Sequence, residues 1–256
     1  MTKAPALFVS HGAPTLPFEN VPARDFLRGL FADREKPRAV LMASAHWETE
    51  APAVSTADKP ATIHDFWGFP PELSKISYEA PGAPDIARRA AALLRAGGFD
   101  AGEDPGQGLD HGAWVPLFLA LDDADVPVFQ LSIQPHLAPA HHFAVGKALA
   151  PLRAQGVAVI GSGSATHNLR KLAWNQHKDV APWARDFDEW FAERVAANDR
   201  DALLDYRARA PHAVEAHPTD EHLLPFYVAM GAGGDGKRIH ASFTHGALSM
   251  AAYAFA

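Results

Sequence analysis

Short runs of consecutive apolar residues alternate along this chain with longer segments whose apolar positions recur every three or four residues. The runs fall at Ala4–Ser10, Arg38–Ser44, Pro52–Thr56, Val126–Ile133 and Val157–Gly161, with a last one expected within Arg238–Phe243. Short apolar runs bounded by turn signals read as buried strands. Between them, Pro84–Gly97 opens on Pro-Asp and closes on Gly97-Gly98, while Pro139–Gln155 opens on a proline and ends at Gly156. Each carries a helix start and a helix stop. Ala181–Asn198 places Trp183, Phe187, Trp190, Phe191 and Val195 at helical spacing. Strands alternating with helices of this length predict an α/β fold of three layers, a mixed and mostly parallel central sheet flanked by helices. No repeat, low-complexity block or linker divides the 256 residues, so one domain over 1–256 is expected.

The longest stretch without a period is Ala57–Ala83, which contains Thr62-Ile63-His64-Asp65-Phe66-Trp67-Gly68-Phe69-Pro70. A loop of this length in a compact domain is usually functional or disordered. Its aromatic content favours an ordered segment that forms the wall of a site.

Composition narrows the chemistry. The chain has no cysteine, so disulfides, thiolate zinc sites, iron–sulfur clusters and cysteine nucleophiles are excluded. A net charge of −7 without a Lys/Arg run argues against a nucleic-acid partner. No apolar stretch approaches a membrane span, and Met1–Pro5 is too brief for a signal peptide, so a soluble cytoplasmic protein is expected. Any metal must be held by His, Asp or Glu, and 14 histidines stand against 23 Lys plus Arg.

Two of these histidines end apolar runs: His11 after Ala6-Leu7-Phe8-Val9-Ser10, and His46 after Ala39–Ala45. Ligands of open α/β sheets bind beyond the carboxyl ends of the strands. Parallel strands ~4.8 Å apart could deliver both imidazoles to one ion. His111 falls at the start of an expected helix, His167 just past a buried strand, and His222 in the first turn of a helix for which Thr219 is the expected N-cap. His136, His141, His142, His177, His212, His217 and His240 read as surface or satisfied core residues.

Competing motifs are incomplete. Gly161-Ser162-Gly163 begins like a dinucleotide loop, but Thr166 stands where the third glycine belongs. Gly231–Arg238 approximates a P-loop, yet it follows a helical segment and Arg238 replaces the Ser/Thr that binds Mg²⁺, so it reads as a turn. No G-x-S-x-G elbow occurs.

In order along the chain stand Ser10-His11-Gly12-Ala13-Pro14, Ser44-Ala45-His46-Trp47, Thr62-Ile63-His64-Asp65-Phe66, Asp110-His111-Gly112-Ala113-Trp114, Gln130-Leu131-Ser132-Ile133, Gly163-Ser164-Ala165-Thr166-His167-Asn168-Leu169 and Thr219-Asp220-Glu221-His222-Leu223-Leu224-Pro225. This ordered set resembles the 4,5-DOPA extradiol dioxygenase family within the class III extradiol ring-cleaving dioxygenases. The resemblance covers nearly the whole chain. It implies a single α/β domain in which His11, His46 and His222 hold one divalent ion, Fe(II) in catalysis with Zn(II) also acceptable. His167 is then the acid/base histidine, and His111 lies near substrate or dioxygen. More distant relatives close the site with a carboxylate, which makes Glu221 the rival of His222; helix neighbours point ~100° apart, so one of the two is expected at the ion.

The implied reaction opens the ring of a small catechol-type substrate with O₂, beside rather than between the hydroxyls. His167 would exchange the catechol proton at an imidazole pKa of ~6.5. Trp47, Phe66, Trp67 and Trp114 are candidate apolar walls. Two other readings of the residues are a zinc-dependent hydrolase using the same histidines, with metal-activated water, and a non-catalytic metal-binding protein. A monomer or small homo-oligomer is expected.

Overall fold

The computed structural model describes residues 3–174 and 179–256, so His177 lies outside the described residues. In chain order the elements are β1 (Ala6–Ser10), α1 (Pro22–Arg28), β2 (Ala39–Glu48), β3 (Ala53–Ser55), α2 (Pro84–Ala96), β4 (Gly102–Asp104), α3 (His111–Ala120), β5 (Val128–Ile133), α4 (Pro139–Leu149) and β6 (Val157–Gly163). They continue as α5 (Pro182–Ala196), the short helices α6 (Arg200–Leu204), α7 (Tyr206–Arg209) and α8 (Ala213–Ala216), then α9 (Leu224–Gly233), β7 (Gly236–His240), β8 (Phe243–Thr244), β9 (Leu248–Ser249) and β10 (Ala252–Phe255).

Eight strands form one sheet in the order β4-β3-β5-β2-β6-β1-β10-β7. The central four, β5-β2-β6-β1, are parallel, and the flanking β3 and β10 join them antiparallel. The expected mixed, mostly parallel sheet is thus present. Alternate residues of one strand face opposite sides. Ala6 and Phe8 accordingly enter a core with α2, α4, α5 and α9, whereas Leu7 and Val9 enter another with α1 and α3. Helices cover both faces, giving three layers.

Local chemistry explains most boundaries. In α2, Pro84 opens the helix, Asp85 lies in its first turn, and Ala87, Ala90, Ala91 and Leu94 form the buried stripe. The helix expected to reach Gln155 stops at Leu149, and Ala150–Gln155 tightens into a 3-10 turn. Pro151 has no N–H to give the carbonyl four residues earlier. Two strands of the eight-stranded sheet, and the separate β8-β9 pair, correspond to none of the expected runs. β10, Ala-Tyr-Ala-Phe, is short and rich in helix-forming alanine, and β4 is an exposed Gly-Glu-Asp edge without an apolar signal. The P-loop-like segment is the end of α9 and the turn into β7.

Candidate metal centre and active site

β1 and β2 are not neighbours. β6 lies between them and pairs with both, so the adjacent-strand geometry expected for His11 and His46 does not occur. The imidazoles meet all the same, with Nε2 of His46 3.1 Å from Nε2 of His11. They meet past the end of the intervening strand, where Ser162 of β6 lies 3.0 Å from His11 Nδ1. His46 also lies inside β2, where pairing with β5 shifts register between Ala43 and Glu48; such irregularities re-aim side chains.

His222 arrives from the opposite side. It occupies the turn before α9, which begins at Leu224 with Pro225 in its first turn, and Thr219 is not the N-cap. Proline is tolerated where helix N–H groups need no partner, and this sets the start. The Asp220 carbonyl accepts instead from Leu223 and Leu224. This turn presses on β6: a Cβ at Gly163 would lie 2.0 Å from the His222 carbonyl oxygen, and one at Gly161 2.0 Å from that of Pro225. The two glycines serve close packing, not a phosphate.

Ligand nitrogens of His11, His46 and His222 all lie within 4.8 Å of one another. The partners of the opposite ring nitrogens fix what these present. Ser162 Oγ gives its single proton to the Gly112 carbonyl, so it accepts from His11 Nδ1 at 3.0 Å. His222 Nδ1 lies 2.9 Å from Glu221 Oε1, and His46 Nδ1 3.4 Å from Asp65 Oδ2. Imidazoles that ligate metals characteristically donate their second N–H in this way. Burial first, then the neighbouring histidines, hold His11 and His222 well below the ordinary imidazole pKa, and burial brings His46 to about 3. These rings are neutral at neutral pH. Nε2 of His11 and Nε2 of His46 face each other at 3.1 Å. That separation is close to the spacing of two nitrogens held ~2.1 Å from one ion. The donor set fits a divalent metal.

Around this triad sit the other expected residues. His111 opens α3, with Asp110 as its N-cap, and its ring centroid is 3.9 Å from that of His46. His167 stacks on His222 at a centroid distance of 3.4 Å, with Nδ1 3.8 Å from Glu221 Oε1. Burial lowers His167 to about 4 despite the opposing Glu221, below the value near 6.5 expected from sequence. Glu221 therefore backs His222 and adjoins His167; a second potential ligand group, His167, Glu221 and His222, shares these side chains.

A cavity of about 300 Å³ opens over the histidines. Phe66, Trp67 and Phe69 line it from the long loop, which is ordered as expected, and Leu172 and Trp174 line it from the other side. Trp47 and Trp114 do not reach it. Both are buried, and Trp114 Nε1 donates to the Ile63 carbonyl, bracing the loop from behind. Among the set-aside histidines, His142 and His217 are buried in hydrogen bonds, His136 and His212 are exposed beside acids, His141 contacts Gln134 and His240 stacks on Phe26. Sequence reasoning assigned no role to Asp65 or Ser162. Asp65 stood in the quoted His64-Asp65-Phe66 segment, and a carboxylate amid aromatics was the available signal.

A cluster of imidazoles at the carboxyl edge of a mixed α/β sheet, open to an aromatic-walled cavity, is a site of the enzymatic kind whose histidines could hold a metal ion. Residues 6–256 match the family described as the catalytic LigB subunit of aromatic ring-opening dioxygenase. The chain belongs to that family, and as an enzyme it is an extradiol ring-cleaving dioxygenase. It is 43% identical over 257 residues to 4,5-DOPA dioxygenase extradiol of Beta vulgaris, covering 97% of this chain and 95% of the relative. The protein of the same description from Escherichia coli K12 is 36% identical, covering 90% and 86%. The crystal structure of an uncharacterized Escherichia coli K12 protein superposes with a TM-score of 0.82 at 30% identity, covering 99% of this chain and 100% of that one. Dioxygenases of this family are metal-dependent, and the histidine triad could bind the ion.

Proposed function

We propose that this protein, working as one catalytic domain over 1–256, binds Fe(II) through His11, His46 and His222 and cleaves a small catechol-type substrate with O₂. The relatives described as 4,5-DOPA dioxygenases make DOPA a first candidate. The observation that carries this reading is the convergence of His11, His46 and His222 beneath the cavity, with Nε2 of His11 and Nε2 of His46 3.1 Å apart. Zn(II) suits the same imidazoles and is the alternative ion.

Fe(II), when held there, would supply Lewis acidity that favours the ionised catechol and would bring substrate and O₂ together. The chain's own groups do the rest. His167, held neutral by burial, accepts a hydroxyl proton from the incoming catechol and returns it during ring opening. Glu221, 3.8 Å from its Nδ1, stabilises the imidazolium in between. His111 faces the substrate from α3, and Phe66 and Trp67 cover the ring and exclude water. Cleavage beside the diol leaves an aldehyde and a carboxylate, with both oxygen atoms of O₂ in the product. Among the described residues no helix is long and apolar enough to cross a membrane. We place the enzyme in the cytoplasm as a monomer or small homo-oligomer acting on a diffusible substrate.

The test is oxygen uptake by protein reconstituted anaerobically with Fe(II) and given a panel of catechols that includes DOPA. Uptake matched by a new visible absorbance is the expected result. One bound iron per chain with no uptake on any catechol would overturn the reading in favour of metal-dependent hydrolysis.

A further inference from the structure

Asp65 touches two histidines at once. Its Oδ1 accepts the His111 backbone N–H at 2.9 Å and lies 3.0 Å from His111 Nδ1, while its Oδ2 lies 3.4 Å from His46 Nδ1. The loop that carries Asp65 is pinned without it: the Leu109 N–H donates to the Ala61 carbonyl, the Ile63 N–H to the Leu109 carbonyl, and Trp114 Nε1 to the Ile63 carbonyl. The carboxylate is therefore presented to both rings by backbone structure on either side. A carboxylate oxygen and an imidazole lone pair repel at 3.0–3.4 Å. The proton of each ring accordingly sits on the nitrogen that faces Asp65.

We propose that Asp65 is a positioning residue that keeps His46 and His111 protonated on Nδ1, leaving Nε2 of His46 bare toward the metal and Nε2 of His111 bare toward the substrate. One carboxylate thus sets the donor character of a ligand and the acceptor character of a substrate-facing group. Because the next residues, Phe66 and Trp67, line the cavity, it also joins the aromatic wall to the metal centre. The part concerning the ion rests on His46 being a ligand; the tautomers do not.

Asp65→Asn separates the two roles. The amide oxygen has an obligatory donor in the His111 backbone N–H and stays there, which turns the NH₂ group toward His46 Nδ1. That nitrogen must then accept, and the proton moves to Nε2, where it opposes the metal. Long-range ¹H–¹⁵N NMR of the metal-free protein reads the tautomers directly, and zinc competition against a chromophoric chelator reads affinity. In the wild-type protein both rings are expected as Nδ1–H. Asp65→Asn is expected to convert His46 to Nε2–H, leave His111 unchanged, and weaken zinc binding about 10- to 100-fold. An Nε2–H tautomer at either ring of the wild type overturns the proposal, as does an Asn variant with unchanged tautomers and affinity. The wild-type spectrum decides even if the variant fails to fold. Neither readout involves turnover, so inactivity on catechols would count against the proposed function and leave this inference standing.

Discussion

At the scale of the residue, His11 and His167 carry the same side chain into the same cavity and are prepared for different work by what their ring nitrogens meet. His11 Nδ1 is committed to Ser162, whose own proton is committed to Gly112. His167 is tied to no such acceptor among the described residues; it stacks on His222 with a carboxylate 3.8 Å away. The first arrangement suits a fixed ligand and the second a group that changes protonation. His11→Ala, His46→Ala and His222→Ala are each expected to abolish stoichiometric iron binding, measured by metal analysis after anaerobic reconstitution. His167→Ala should retain one metal per chain and lose about 10²- to 10⁴-fold in kcat, the range of a positioned general base. Normal turnover by that variant would remove its assigned role. Ser162→Ala leaves the His11 Nδ1–H without its acceptor and should weaken metal binding by about tenfold, read by chelator competition.

At the scale of the element, the end of β6 decides whether the site assembles. It is the strand past whose end His11 and His46 meet and the surface on which the His222 turn rests. A methyl group at Gly163 would stand 2.0 Å from the His222 carbonyl oxygen, whereas one at Gly102 on the edge strand β4 would meet nothing closer than 3.8 Å. Overpacking of this kind costs about 1–3 kcal/mol. Gly163→Ala should therefore lower the urea midpoint and weaken metal binding together, because the displaced backbone is that of His222, a proposed ligand. Gly102→Ala should do neither. A Gly163→Ala variant with wild-type metal affinity would show that the His222 turn can move away from β6 without loss.

At the scale of the whole molecule, the buried histidines outside the site make stability depend on pH. Burial lowers both His142 and His217 to about 3, with their backbone carbonyl partners at Ala138 and Ala165 opposing it. In the unfolded chain both titrate near ~6.5. Between these values the unfolded state binds more protons than the folded one. Stability is thus greatest above about pH 6.5 and falls as pH drops toward 3, each group contributing up to about 1.4 kcal/mol per pH unit. Urea midpoints of the metal-free protein should decline from pH 7 to pH 5. His142→Gln, whose amide oxygen can still accept the Gln134 N–H, should flatten that decline; an unchanged slope would show that His142 takes up its proton as readily in the fold as in the unfolded chain.

What the sequence alone determined was what is local: the apolar runs that became β1, β2, β3, β5 and β6, the proline and glycine punctuation of α2, and the set of chemically capable histidines. An ordered aromatic loop was also legible, because Phe66, Trp67 and Phe69 have no reason to cluster in a solvated linker. Only the tertiary structure decided which strands are neighbours, and hence that His11 and His46 meet across β6. It likewise placed Glu221 behind His222, gave Asp65 two imidazoles to serve, and drew β10 into the sheet beside β1. Strand order, the partner of a second ring nitrogen and the burial that lowers His167 are properties of groups far apart in sequence. Local periodicity reports which face of a strand or helix is apolar, but not what that face will meet.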